Sequence, residues 1–352
     1  MVSTYARIAG LSVEVEGYRL EGLELPVSSG FVRHTTVVHL YGGGEEGVGE
    51  DVTYEADEHE RLQSAGAIHD LTGARSLDSF AELIGSLDLF PEGAPRVPVR
   101  RLYRRWAFES AALDLALRQA GLSLADALGR SAKPVRFVVS RRLPEPPTAE
   151  PLRTILAAYP GTRFKLDPTT DWTVELVEEL AGLGAVEILD LKAAYRGTAV
   201  DQPPNPRLYQ LVAEAFPEAV IEDPDLIEPA TEEVMRPHHA RISWDAVIHS
   251  VTDIDALPFP PRTLNIKPSR FGSLAALLAT YDYCAEAGIR LYGGGQFELA
   301  AGRGQIQYLA SLFHPDGPND VAPLGYDGPE PEPGTPASPL EPAPSKTGFR
   351  WV

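Results

Sequence analysis

The first 54 residues alternate between apolar and polar positions, which is typical of β-strands that bury one face. The alternating segments are Leu11–Val15, Tyr18–Leu25 and Thr35–Tyr41, with turns at Ser28–Gly30 and Gly42–Gly44. This pattern predicts an antiparallel meander. From Glu55 to about Arg130 the period becomes helical, most clearly over Phe108–Leu117.

The remainder of the chain alternates short β-branched runs with helical segments. Predicted strands cover residues 135–140, 164–166, 186–191, 220–222, 241–244, 264–267 and 289–292, and predicted helices cover 152–158, 171–183, 206–216, 231–235, 273–287 and 299–313. Such alternation requires a parallel sheet, and this many units closes most economically into a barrel.

We therefore predict an α/β protein with a modified TIM barrel of the (β/α)7β type. An α+β capping domain should occupy residues 1–130 and the barrel residues 131–322. A Pro-rich segment follows at residues 323–352, and its apolar end, Gly348–Val352, is suited to dock back on the body.

Charged residues end the apolar runs of the predicted barrel one after another. In a parallel barrel, the carboxyl ends of the strands build the active site. Residues two apart point to the same side of a strand, so three pairs should each share a face: Arg163 with Lys165, Asp190 with Lys192, and Asn265 with Lys267. A single charged strand end is more often a salt bridge or a solvated loop residue, but a series of five predicts one site.

Asp190, Glu222 and Asp245 come from three consecutive strands and would repel one another without a cation. Oxygen-only ligands favour a hard ion such as Mg²⁺, with Mn²⁺ as a possible substitute. Lys165 and Lys267 come from opposite sides of the barrel and could remove and return a proton α to a carboxylate.

These residues together resemble the enolase superfamily, and within it the muconate-lactonizing and o-succinylbenzoate synthase subgroup. The resemblance is carried by Arg163-Phe164-Lys165, Asp190, Ile221-Glu222-Asp223-Pro224, Asp245, the segment Asn265–Gly272 and the segment Gly294–Glu298. It implies that Lys165 and Lys267 are acid and base and that Asp190, Glu222 and Asp245 hold Mg²⁺. We expect Arg163, Lys192, Asn265 and Glu298 to bind the substrate or to support the site. The resemblance also implies that Phe31 and Arg33 lie in a loop that contacts the substrate.

Four positions depart from the pattern of that subgroup. Arg163 replaces a lysine, Lys192 an asparagine, Asp223 a glutamine and Ala246 a glutamate. The Lys192 ammonium is placed to pair with Asp190 or to substitute for part of the metal's charge.

Two functions follow as hypotheses. The first is an isomerase or lyase that forms an enediolate from a small carboxylate with Mg²⁺: a racemase, epimerase, cycloisomerase or syn-dehydratase. The second is a barrel that binds an acidic metabolite or a protein partner without this catalysis.

Composition and net charge exclude several classes of binding partner and site. A net charge of −19 argues against nucleic acid and anionic membranes as partners. Cys284 is the only cysteine, which excludes an intramolecular disulfide and a Cys-based zinc site. The sequence shows neither a signal peptide nor a membrane span, so we expect a cytoplasmic protein, and a homo-oligomer by analogy with other barrels.

Overall fold

An N-terminal α+β region and a parallel barrel make up the fold. The computed structural model describes residues 3–26, 31–91, 93–196, 200–328 and 330–351, so the predicted turn at Ser28–Gly30 lies outside the described residues. Across those ranges no helix is both long and apolar enough to cross a membrane.

The strands are β1 (Ser12–Val15), β2 (Gly17–Pro26), β3 (Val32–Gly42), β4 (Glu45–Asp51), β5 (Gly73–Ser76), β6 (Val139–Arg141), β7 (Phe164–Leu166), β8 (Val186–Asp190), β9 (Val220–Glu222), β10 (Ile242–Ser243), β11 (Thr263–Ile266) and β12 (Arg290–Gly293). The helices are α1 (Ala56–Ala65), α2 (Leu77–Ser86), α3 (Arg100–Gln119), α4 (Leu124–Leu128), α5 (Glu150–Ala158), α6 (Val174–Gly182), α7 (Pro206–Ala215), α8 (Pro229–Met235), α9 (Val251–Asp255), α10 (Pro268–Phe271), α11 (Leu274–Ala287) and α12 (Ala301–Phe313). Short 3₁₀ helices occur at Tyr5–Arg7, Arg236–Arg241 and Leu324–Tyr326.

The N-terminal sheet is antiparallel in the order β2-β3-β4. Gly43 and Gly44 join β3 to β4 with φ angles of 59° and 78°, which a residue with a side chain adopts only with strain. The predicted meander was wrong for β1, which pairs with β5 instead. The alternation of apolar and polar residues identifies a strand but not its partner. Strand β5 was also missed, because its four residues are too few to interrupt the helical periodicity of the sequence around it.

Helix α3 forms the centre of the capping region, and β4 lies directly on it. A Cβ atom at Gly47 would come within 2.2 Å of the Ala111 carbonyl oxygen, and one at Gly49 within 2.0 Å of the Ala107 carbonyl oxygen. The two glycines therefore permit the close approach of strand and helix.

The barrel closes through hydrogen bonds at both of its seams. Strands β6 to β10 form one parallel sheet, and β11 pairs with β12. The Asn265 amide donates to the Trp244 carbonyl, which joins β10 to β11. The amides of Asp320 and Val138 donate to Gly293 and Asn319, so that residues 319–320 bridge β12 to the segment before β6. The predicted fold class, a (β/α)7β barrel with an α+β capping domain, is confirmed.

Arg33 joins the capping sheet to the segment that follows β12. Its fully buried guanidinium donates to the carbonyls of Val52, Thr53, Gln296 and Phe297 at 2.5–3.1 Å. These contacts correct the expectation that Arg33 binds substrate, because backbone oxygens accept four of its N–H bonds.

Asp114 in α3 holds the C-terminal segment in place. Its carboxylate accepts hydrogen bonds from the amides of Val48 and Phe349 and pairs with the Arg350 guanidinium at 2.8 Å. The Phe349 side chain is fully buried.

We predict that Asp114→Ala lowers the free energy of unfolding by about 3 kcal/mol, because three donors lose a buried partner. Urea denaturation measures this change. Glu45→Ala is the control, since the Glu45–Arg118 pair is partly exposed and should contribute under about 1 kcal/mol. Equal losses in the two variants would contradict the role assigned to Asp114.

Candidate active site

Charged side chains meet at the carboxyl ends of β7 to β11. Asp190 and Glu222 are the last residues of β8 and β9, and Asp245 lies two residues beyond β10. Lys165 lies in β7, and Lys267 directly follows β11. All five side chains are buried, so each charge must be balanced inside the barrel.

Lys165 balances two of the carboxylates. Its Nζ lies 2.9 Å from Asp190 Oδ2, 2.5 Å from Glu222 Oε1 and 3.6 Å from Asp320 Oδ2. Burial opposes the ammonium charge, but Asp190 and Glu222 outweigh it and hold the pKa of Lys165 well above its usual range. Lys165 is therefore protonated in this arrangement.

Asp245 forms a second charged group with Lys267 and Arg270. The Lys267 Nζ lies 2.8 Å from Asp245 Oδ2, and the Arg270 Nε lies 3.2 Å from Oδ1. The Tyr195 hydroxyl donates to Asp245 Oδ2 at 2.9 Å and accepts from Arg270 Nη2 at 2.7 Å. Burial opposes ionisation of Asp245, but Arg270 and Lys267 outweigh it and hold its pKa well below the usual range.

Lys192, whose side chain is 13% exposed, also pairs with Asp190. Its Nζ donates to Asp190 Oδ2 and lies 3.5 Å from Asp167 Oδ1. Despite burial, Lys165 and Lys192 hold the pKa of Asp190 well below its usual range. The structure thus brings Lys192 into the charge cluster, beside Asp190.

Glu222 lies between the two lysines. Its Oε1 pairs with Lys165, and its Oε2 accepts from Asn265 Nδ2 at 3.2 Å and from the Tyr292 hydroxyl. Burial, only partly offset by Lys165, raises the pKa of Glu222 to about 8. Of the three carboxylates, Glu222 therefore takes up a proton most readily.

Arg163 does not join the site, which corrects its predicted supporting role. Its side chain is 39% exposed, and its Nε lies 3.5 Å from Glu187, whereas the Lys165 side chain is 1% exposed. Strand β7 begins only at Phe164, and its register against β8 shifts between Phe164 and Lys165. The two-residue alternation therefore does not extend back to Arg163.

Glu298 also makes contacts other than those predicted. Its Oε1 accepts from the Gln296 amide at 2.9 Å, and burial, together with the nearby charge of Glu298, raises the pKa of Glu50. Glu50 in turn accepts from the amides of Leu299, Ala300 and Gly302 where α12 begins. These contacts place Glu298 at the junction of capping region and barrel.

Asp223 has a structural role that explains its departure from glutamine. It has a φ angle of 47°, and its two carboxylate oxygens accept from the amides of Asp245 and Ala246 at 2.9 and 3.0 Å. An amide side chain has one acceptor oxygen, so glutamine could not make both contacts in this way. Asp223 fixes the position of Asp245.

Several members of the cluster were missed from the sequence: Asp167, Tyr195, Arg270, Tyr292 and Asp320. Asp167 could have been found, because it lies two residues beyond Lys165. The tyrosines carry no such signal, since one lies in a loop and the other resembles an ordinary core residue of β12.

The donor set does not fit the predicted Mg²⁺ centre. Of the six oxygens of Asp190, Glu222 and Asp245, five already accept hydrogen bonds from the protein. The sixth, Asp245 Oδ1, accepts none but lies 3.2 Å from Arg270 Nε. Among the described residues no group of three or more His, Cys, Asp or Glu side chains is arranged to hold a metal ion.

We predict that Lys165→Met lowers the free energy of unfolding by about 3–5 kcal/mol, because it leaves Asp190 and Glu222 without their shared cation. Chemical denaturation measures the loss. Arg163→Met, two residues away but partly exposed, should change stability by about 1 kcal/mol or less. Similar losses for both variants would show that burial does not distinguish the two positions.

Comparisons with known proteins agree with this architecture. An o-succinylbenzoate synthase from Geobacillus stearothermophilus is 29% identical over 228 residues, or 61% of this chain and 58% of that protein. The chain spans about three fifths of the length of the curated relatives it matches.

Two solved structures share the fold. Muconate lactonizing enzyme from Pseudomonas putida has a TM-score of 0.67 at 19% identity, with 96% of both chains covered. A dipeptide epimerase from Methylococcus capsulatus complexed with Mg ion has a TM-score of 0.64 at 22% identity, with 88% of this chain and 92% of that chain covered.

The family described as "Domain of unknown function (DUF8230)" matches twice, with its N-terminal domain at residues 6–127 and its C-terminal domain at residues 131–328. The chain therefore belongs to the DUF8230 family, has the fold of the enolase superfamily, and resembles the muconate-lactonizing and o-succinylbenzoate synthase subgroup in its barrel motifs.

Proposed function

We propose that this protein is an isomerase or lyase that removes a proton α to a carboxylate of a small organic acid, with Lys165 and Lys267 as acid and base. The observation that carries the proposal is their placement on either side of Glu222. Lys165 on β7 contacts one oxygen of Glu222, while Asn265 on β11, two residues before Lys267, contacts the other. A substrate carbon held between the two Nζ atoms could lose a proton to one lysine in its amine form and gain one from the other in its ammonium form.

The contacts of the two lysines differ, which suggests their order of action. Lys165 lies against three carboxylates, whereas Lys267 pairs with Asp245 alone and shares that partner with Arg270. Despite burial, Asp190 and Glu222 hold the pKa of Lys165 well above its usual range, so Lys165 retains its proton. We infer that Lys267 takes up the substrate proton as the base, and that Lys165 donates one as the acid.

The reaction is balanced without any other reagent. Lys267 acts in its neutral amine form: its Nζ accepts the α-proton, the electron pair of the broken C–H bond forms the C=C bond of an enediolate, and the C=O π pair moves onto the carboxylate oxygen. In a racemase or epimerase, the oxygen pair re-forms the C=O bond as Lys165 returns a proton to the opposite face of the α-carbon. In a lyase, the re-forming C=O bond drives the enediolate pair into a Cα=Cβ bond, and the leaving group departs from the β-carbon with its bonding pair and takes the Lys165 proton. The activities named for the similar proteins, an epimerase, a lactonizing enzyme and a synthase, support a carboxylate substrate.

Mg²⁺, or Mn²⁺ in its place, is the cofactor that the sequence resemblance implies, at Asp190, Glu222 and Asp245. No step of this proposal passes through a metal ion, because cations and hydrogen-bond donors of the protein contact the oxygens that would bind it.

Deuterium exchange tests the proposal. The protein is incubated in D₂O with N-succinylamino acids, dipeptides and acid sugars, in separate samples with Mg²⁺ and with a chelator, and NMR follows the α-proton. We predict exchange with at least one substrate, and about 10²- to 10⁴-fold slower exchange in Lys165→Ala and Lys267→Ala. Lys133→Ala, at an exposed position before the barrel, is the control and should exchange at the wild-type rate.

The contrary outcome is absence of exchange with every substrate under both conditions. That result would favour the second function, a barrel that binds an acidic metabolite or a protein partner. The pairing of Lys192 with Asp190 is the observation that favours this alternative, because it neutralises a residue that the resemblance assigns to the metal.

A further inference from the structure

Lys192 contacts Asp190 through both its backbone and its side chain. The Lys192 amide lies 3.2 Å from Asp190 Oδ1, and its Nζ donates to Asp190 Oδ2. The residue has a φ angle of 54°, a left-handed conformation that is uncommon for a residue with a side chain. This conformation turns the chain back at the end of β8, so that the ammonium lies over the carboxylate of the preceding strand residue.

A second left-handed residue supports this turn. Asp223, with a φ angle of 47°, accepts the amide of Ala193 on its carbonyl, and the Leu191 amide donates to the Glu222 carbonyl. The backbone on both sides of Lys192 is therefore tied to the end of β9. These backbone hydrogen bonds hold Lys192 in place. Its backbone conformation, as well as its rotamer, brings the side chain to Asp190.

Arg270 occupies the corresponding position beside Asp245. Its guanidinium lies 3.2 Å from Asp245 Oδ1 and donates to the Ala246 carbonyl at 3.1 Å and to the Tyr195 hydroxyl at 2.7 Å. Ala246 stands where the resemblance expects a glutamate, so no side-chain carboxylate at that position competes for Arg270.

The four cations of the cluster differ in their access to a substrate. The side chains of Lys165, Lys267 and Arg270 are 1%, 7% and 5% exposed, while that of Lys192 is 13% exposed. An ammonium has three N–H donors, and Lys192 donates one of them to Asp190, while its Nζ lies 3.5 Å from Asp167 Oδ1 without a hydrogen bond and 5.2 Å from the centre of the Tyr195 ring. A remaining N–H is suited to a carboxylate oxygen of a ligand.

We propose that Lys192 and Arg270 supply the positive charge that a divalent ion supplies in a Mg²⁺-dependent barrel of this fold, and that Lys192 binds the substrate carboxylate directly. The part of this inference that concerns the substrate rests on the proposed function. The part that concerns the metal does not, because it is a statement about how Asp190 and Asp245 are occupied.

The metal part is tested on the wild-type protein by titration with Mn²⁺, with bound and free ion distinguished by electron paramagnetic resonance. We expect no saturable binding to the wild type at millimolar Mn²⁺. Lys192→Asn, which introduces the residue expected from the resemblance, should bind Mn²⁺ about 10- to 100-fold more tightly. Lys133→Asn makes the same change at an exposed position and should behave as the wild type does.

Two results would overturn the metal part. One is saturable Mn²⁺ binding to the wild type that is lost in Asp190→Asn. The other is a Lys192→Asn protein that is folded by circular dichroism yet binds Mn²⁺ no better than the wild type. If Lys192→Asn does not fold, the wild-type titration alone decides.

The substrate part is tested by the rate of deuterium exchange in a chelator. We expect the wild-type rate to be unchanged by EDTA, and Lys192→Gln to raise the KM for the substrate about tenfold or more, because the ligand carboxylate loses a charged donor. Exchange that stops in EDTA and resumes with Mg²⁺ would overturn this inference but leave the proposed function intact. Absence of exchange in every condition would overturn the proposed function and the substrate part, while the Mn²⁺ result would still decide the metal part.

Discussion

Carboxylates that are taken out of water must meet positive charge, and this requirement governs the barrel's carboxyl end. Asp190, Glu222 and Asp245 are fully buried and lie on neighbouring strand ends. Each acquires a cation from another strand or loop: Lys165 serves the first two, and Lys267 and Arg270 serve the third. Removing one member would leave an uncompensated buried charge, so the strand ends, the loops and the ionic network depend on one another.

The same network relates the fold to the chemistry. Lys165 lies against three carboxylates, whereas Lys267 shares one carboxylate with Arg270. These unequal surroundings support the proposed assignment of Lys165 as the acid and Lys267 as the base. The residues that depart from the pattern of the muconate-lactonizing and o-succinylbenzoate synthase subgroup are connected through Asp223. Asp223 binds the backbone of Asp245, of Ala246 and of Ala193, which directly follows Lys192.

The barrel and many of its site residues could be predicted from the sequence, because their signal is local and periodic. The alternation of short apolar runs with helical segments predicted the barrel, and the charge at the end of each run predicted which residues meet in the site. Prediction failed where the signal is non-local. Strand β1 pairs with β5 across about 60 residues, which no local pattern encodes. Arg163 lies outside the site because of a register shift that the sequence does not mark, and Arg33 binds carbonyls supplied by both parts of the chain.

If the protein's own cations occupy the carboxylates at the carboxyl ends of the barrel strands, Mn²⁺ has no site there, and diffraction from a crystal grown in Mn²⁺ shows whether this is so. Anomalous diffraction locates Mn²⁺ independently of any assumption about the side chains. We expect no anomalous peak among Asp190, Glu222 and Asp245, with Lys192 Nζ within hydrogen-bonding distance of Asp190. A peak about 2.1–2.2 Å from oxygens of the three carboxylates, with the Lys192 side chain displaced, would contradict it.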